Sequence, residues 1–161
     1  MEILKFPNPS LFKVCREVTV FGPELKTLLE SMWETMMSKN GVGLASNQVG
    51  LDYRMFTMLG PDEEKFFIVN PKIILQSSTP ANFKEGCLSA PGEFLILAER
   101  TMWVQIMYQD EAGTPRSGKF QGLHAVCIQH EIDHLDGKSY LQSKSLVRAK
   151  RRELAKKWKL K

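Results

Sequence analysis

Cysteine is scarce, with three residues, Cys15, Cys87 and Cys127, among 161. Three thiols cannot all pair with one another, so no disulfide framework is read, and free thiols in a reducing compartment are expected. Long apolar runs are missing too, and nothing approaches the length needed to cross a bilayer. The opening residues, Met1 to Pro7, show no charged leader followed by an apolar stretch, so no signal peptide is read and a cytoplasmic protein without a membrane partner is expected. Internal repeats and low-complexity segments are absent, and no aromatic signature for stacking RNA bases stands out. Only three histidines are present, so where they fall carries weight.

What is there fits one domain with a substantial core. Hydrophobic residues make up 43% and charged residues 25%, ordinary for a globular chain. The net charge of +4 conceals a division. From Lys144 onward there are nine Lys or Arg and a single acid, Glu153, which leaves the preceding body with four more acids than bases. The chain therefore divides into a body, residues 1–143, and an appended basic helix of the same domain, residues 144–161.

Phe6-Pro7-Asn8-Pro9 reads as a rigid turn. Leu25, Leu28, Leu29, Met32 and Met36 recur at helical spacing between Pro23 and the stop signal Asn40-Gly41, and their methionines read as core filling. Strands are expected over 54–59 and 66–69 around Gly60-Pro61-Asp62-Glu63, then over 72–75 and 103–108, with a weaker one near Lys119-Phe120. Helices are expected over 123–135, stopped by Gly137, and over 143–159. Strands grouped before helices suggest α+β rather than alternating βαβ units.

The strongest local signal is Gln129-His130-Glu131-Ile132-Asp133-His134. Residues four apart on a helix differ by about 40° around its axis, so both imidazoles leave one face and can bind a single divalent cation. Glu131 lies beside His130, close enough to reach a water on that cation without being a ligand. The apolar neighbours Val126, Ile128, Ile132 and Leu135 imply a buried helix. Burying two histidines and a glutamate without partners would cost roughly several kcal/mol, which a cation relieves. A catalytic site takes a third protein ligand. No convincing acid or histidine follows Gly137, so it comes from upstream. Cys87, in Glu85-Gly86-Cys87-Leu88-Ser89, and Cys127, on nearly the same face of the helix as the histidines, are both candidates. His124, six residues before His130 and about 240° away, is expected to be structural or exposed. Arg100 is either an ordinary surface charge or the partner of an acid near the metal loop.

Three segments, Gly41-Val42-Gly43-Leu44-Ala45-Ser46-Asn47-Gln48, Glu85-Gly86-Cys87-Leu88-Ser89 and Gln129-His130-Glu131-Ile132-Asp133-His134, together resemble the three motifs of the peptide deformylase family, in order and approximate separation. The resemblance covers about residues 3–145. It implies antiparallel sheets packed around a central helix carrying the HExxH motif, plus a C-terminal helix. It also implies a monomeric enzyme that removes the formyl group from formyl-methionine of nascent peptides. Cys87 then joins His130 and His134 in holding one divalent ion, Fe²⁺ by preference with Zn²⁺, Ni²⁺ or Co²⁺ as substitutes, and Cys127 reads as helix packing. Glu131 becomes the acid–base for a water attacking the formyl carbon, and Gln48 and the Leu88 backbone N–H the donors to the oxygen that becomes negative. Gly41, Val42, Gly43, Leu44, Glu85, Gly86, Cys127 and Ile128 are the implied substrate neighbours. The family more often has Ala-Ala-Pro where this chain has Ala45-Ser46-Asn47, and loss of the proline restraint is expected to loosen the loop carrying Gln48.

In the tail, Val147, Leu154 and Trp158 form a stripe at helical spacing with cations around it. That predicts an amphipathic helix docked by the stripe, whose positive outer face favours polyanions; the resemblance implies the ribosome as its partner. The rival readings are a general metallopeptidase and an inactive scaffold that binds the ribosome or RNA.

Overall fold

A computed structural model describes residues 1–160. Helix α1, Pro23–Met37, leads to a short strand β1, Gly43–Ala45. Strands β2, Met55–Leu59, and β3, Lys65–Gln76, form a hairpin. A second hairpin, β4 Glu85–Cys87 and β5 Ala90–Leu95, follows. Strands β6, Trp103–Gln109, and β7, Pro115–Gln121, run directly into α2, Gly122–Leu135, and the chain ends with α3, Arg148–Lys157. Five strands make one antiparallel sheet in the order β1-β2-β3-β6-β7, and β4-β5 stand apart. The architecture is the expected α+β arrangement, with the HExxH helix at its centre.

Period-two alternation explains why β2 reads as a continuous apolar run. Phe56 and Met58 face α2, where they join Ile68, Ile106, Ile128 and Ile132. Met55 faces the other way, towards Leu29, Met32 and Met36 of α1. The sheet is thus sandwiched between the two helices, and α2 has ten of its fourteen residues buried. A third apolar cluster, including Phe6, Leu95, Tyr140 and Leu154, docks α3 beside the β4-β5 hairpin.

Several local expectations change. The segments 66–69 and 72–75 belong to one strand, β3, whose register shifts between Val69 and Lys72. Pro71 has no N–H for the ladder. Asn70 sits at φ 50, and its amide bonds Val18 and Gln109 instead. The weak strand near Lys119-Phe120 is a full strand because β6 pairs it along its whole length. The last helix starts later than expected, at Arg148, after a separate turn of 3-10 helix over Tyr140–Gln142. Its docking stripe also shifts. Val147 is exposed, and Leu146 rather than Val147 joins Leu154 and Trp158 against the body.

Candidate metal centre

α2 presents His130 and His134 one turn apart, and the β4-β5 hairpin brings Cys87 over them. Cys87 Sγ lies 3.1 Å from His134 Nε2. One donor atom from each of Cys87, His130 and His134 lies within 4.8 Å of the others, a separation one cation can span. The Nδ1 of His130 is bonded to Glu85 Oε2 at 2.6 Å, which leaves Nε2 for the shared position. A sulfur and two imidazoles are a three-donor set of the kind that would hold a divalent metal and leave room for a water. The residues present therefore fit a divalent metal.

The electrostatics agree. Burial weakens the hold of His130 on a proton, yet Cys87 and Glu85 outweigh it and raise its pKa well above the usual imidazole value. The place thus attracts positive charge. Burial, aided by neighbouring His130 and Arg100, holds His134 well below its ordinary value, so it offers a neutral nitrogen. Phe6 stacks on His134 with ring centres 6.3 Å apart, and Tyr140 meets His130 edge-on at 5.2 Å.

Glu131 is almost fully buried, and its Oε2 has no hydrogen-bond partner among the described residues. Burial pushes its carboxyl up to about 7. It fits because residue 43 is glycine; a Cβ there would press on the Glu131 carboxylate and on Cys127 Sγ at 2.7 Å. Gln48 is oriented from both ends of its amide. Its Oε1 accepts from the Ala45 N–H at 2.8 Å, which turns Nε2 towards Ser89 Oγ at 3.1 Å and Cys87 Sγ at 3.4 Å. The N-terminal segment joins the Gln48 loop to the hairpin, since Leu4 N donates to Gln48 O and Phe6 N to Ser89 O.

Arg100 is buried within this network. Its Nε and Nη2 donate to the two oxygens of Glu85 at 2.8 and 2.9 Å, and its Nη1 to Asp133 Oδ2 at 2.6 Å. Burial alone would raise Glu85, but His130 and Arg100 hold it below the ordinary carboxylate range. Arg100 thus aims Glu85, and Glu85 aims His130. The sequence left Arg100 open because nothing local to it reveals which acid it meets.

The site borders a cavity of about 540 Å³. Gly41, Val42, Gly43, Gln48, Glu85, Gly86, Cys87, Leu88, Cys127, His130 and Glu131 all line it. Leu44 and Ile128 do not. Leu44 turns into the core against α1, and Ile128, about 200° around the helix from His130, faces the sheet. In their place Leu123 and Val126 reach the cavity, being seven and four residues before His130 on its own face. That spacing could have found them. Cys127 directs its thiol to the Val42 carbonyl at 3.6 Å and stands outside the donor group, as does the partly exposed His124. The departure at Asn47 does not leave its loop untied. The Asn47 side-chain amide donates to the His134 carbonyl at 2.6 Å and anchors the loop to the end of α2.

A cysteine sulfur and two imidazoles around one position, with a buried carboxyl group beside it, define the class as a metal-dependent hydrolase. Comparison narrows it. The family model described as polypeptide deformylase matches residues 1–150. A peptide deformylase of Phenylobacterium zucineum is 38% identical over 160 residues, covering 97% of this chain and 93% of that protein. One from Wolinella succinogenes is 39% identical over 160 residues, covering 95% and 93%. The crystal structure of a peptide deformylase from Legionella pneumophila superposes with a TM-score of 0.88 at 36% identity, covering 98% of this chain and 92% of that one. The chain belongs to the polypeptide deformylase family, enzymes that remove the formyl group from N-formyl-methionine.

Proposed function

We propose that this chain hydrolyses the formyl amide at the N-terminus of newly synthesised formyl-methionine peptides and releases formate. The observation that carries the reading is the meeting of the Cys87, His130 and His134 donors with the buried carboxyl group of Glu131 beside a cavity that Cys87, His130 and Glu131 line. A divalent cation held there would supply Lewis acidity and lower the pKa of a water from its bulk value toward about 7. Ferrous iron is the physiological ion in this reading, with zinc, nickel or cobalt able to replace it.

Glu131 takes a proton from the attacking water through its unpaired Oε2 and returns it to the departing amine. Gln48, with its Oε1 held by Ala45, presents Nε2 to the developing charge on the formyl oxygen, and the Leu88 backbone N–H is the second donor. β1 is an edge strand, paired only with β2. The segment from Gly41 to Gly43, which leads into this edge strand, lies beside the substrate backbone, which adds as an extended strand. The methionine side chain enters between Val126, Cys127 and Val42.

The rest of the chain is a cytoplasmic monomer in this reading, with residues 1–143 as the catalytic body and 144–161 as an appended helix. Arg148, Arg152 and Lys156 are exposed on α3 and Lys159 just beyond its end, a positive surface suited to the ribosome. No helix among the described residues is long and apolar enough to cross a membrane.

The deciding experiment measures formate released from formyl-Met-Ala-Ser by protein loaded with Fe²⁺ under reducing conditions. Release that stops with chelator and returns with metal is the expected result. Cleavage of internal peptide bonds instead would favour the metallopeptidase, and no cleavage at all the inactive scaffold. Unchanged ribosome co-sedimentation at low salt after deletion of the residues beyond Ser145 would remove the ribosome from the reading.

A further inference from the structure

The charges around the cavity are unevenly satisfied. Three carboxylates line it, and none is free to balance its rim. Glu85 is committed to Arg100 and His130, and Glu131 is buried beside the metal donors. Glu93, 7% exposed, has its carboxylate covered by the ammonium of Lys157, which reaches across from α3. Three lysines line the same cavity, Lys5, Lys39 and Lys84, and all three are exposed. Lys5 donates to the Leu88 carbonyl. The side-chain ammonium groups of Lys39 and Lys84 have neither an ion pair nor a hydrogen bond among the described residues. One precedes Gly41 by two residues and the other immediately precedes β4, so each of the segments bordering the cavity contributes an unbalanced cation.

We propose that this rim makes the enzyme select formyl peptides bearing Asp or Glu in the first few residues after formyl-methionine, and disfavour Lys or Arg there. The inference rests on the deformylase reading and adds the substrate class. An extended peptide advances about 3.3 Å per residue. Its second to fourth residues therefore fall within one Debye length, about 10 Å at 0.1 M salt, of charges at the mouth. A single exposed charge pair changes an affinity only about 1.4- to 5-fold. Two unbalanced cations act together, and replacing Glu by Lys reverses the sign of both interactions, so the preference reaches roughly tenfold. The contacts form in the bound peptide and are unaltered in the transition state, so the effect belongs in KM rather than kcat.

The test uses the full-length, metal-loaded protein and C-terminally amidated peptides, which carry no terminal carboxylate. Formate release is measured for formyl-Met-Ala-Ala-Ser and for versions with Glu or Lys stepped through the second to fourth positions. At about 0.02 M salt kcat/KM favours Glu over Lys roughly tenfold at the best position, and at about 0.5 M the ratio falls towards one. Lys39→Glu combined with Lys84→Glu inverts the ratio, and Lys84→Gln alone reduces it. Lys157→Ala also reduces it, by returning the Glu93 charge to the rim. Metal content, measured on every variant, confirms that each retains its centre. Equal kcat/KM for Glu and Lys peptides at low salt, with the neutral peptide turned over normally, overturns the selectivity and leaves the deformylase reading standing. No formate from the neutral peptide overturns both.

Discussion

Helices α2 and α3 each carry an apolar stripe at helical spacing and a set of charged or reactive side chains, yet the body treats them differently. α2 is enclosed by the sheet and the β4-β5 hairpin, and its His130 and Asp133 side chains are held by Glu85 and Arg100 at fixed distances. α3 buries only Leu154, leans Trp158 on the body and adds the Lys157 contact to Glu93. An enclosed helix can hold a donor atom to within the tolerance that metal binding demands. A helix laid on the surface can only present charge. The same periodicity thus supports a reaction centre in one place and a docking face in the other, and the surrounding contacts make the difference.

The largest effects should come from α2. Glu131→Ala is expected to lower kcat about 10²- to 10⁴-fold while elemental analysis finds the metal retained; His130→Ala should lose the metal itself. Full turnover in Glu131→Ala would remove that residue from its role. Arg100→Ala leaves Glu85 buried without its counter-ion and is expected to cost about 3–5 kcal/mol of unfolding free energy. Denaturant titration reads this directly, and a loss below about 1 kcal/mol would mean that the Arg100–Glu85–His130 chain adds little.

Effects in α3 should be smaller and more local. Leu154→Ala is expected to cost about 2 kcal/mol, the low end for a buried leucine, because a helix attached along one side can settle into the gap. Hydrogen exchange should quicken in α3 while α2 stays protected. Equal acceleration in both helices would show that they open as one unit and would end the contrast. Lys157→Ala should change stability by less than about 1 kcal/mol, since more than half of the lysine side chain is exposed; thermal unfolding would detect anything larger.

Legibility followed the same division. α2 and its two histidines were readable because HExxH spacing and flanking apolar residues lie within one helix. The β4-β5 hairpin was not, since Gly86, Pro91 and Gly92 interrupt any strand pattern, and its stability comes from neighbours such as Tyr140, whose hydroxyl donates to the Glu93 carbonyl at 2.9 Å. The side chains of Leu44 and Ile128, named as substrate neighbours from the motifs, turn into the core, because a motif gives membership, not direction. The stripe in the tail was one residue out for a related reason: Val147 and Leu146 are both apolar, and only the turn before α3 decides which of them points inward.

The sequence by itself determined the pair of imidazoles and the adjoining carboxylate, because helical geometry fixes how residues four apart are related wherever the helix lies. It also determined the division of charge between body and tail, which is a matter of composition. Spacing left Cys87 and Cys127 both open and the motif resemblance favoured Cys87, but only the tertiary structure brought its sulfur to the two imidazoles, buried Arg100 between two acids and left two lysines unbalanced at the cavity rim. Those outcomes depend on groups distant along the chain being brought within a few ångströms of each other. Short-range forces act over that distance, and no local pattern records it.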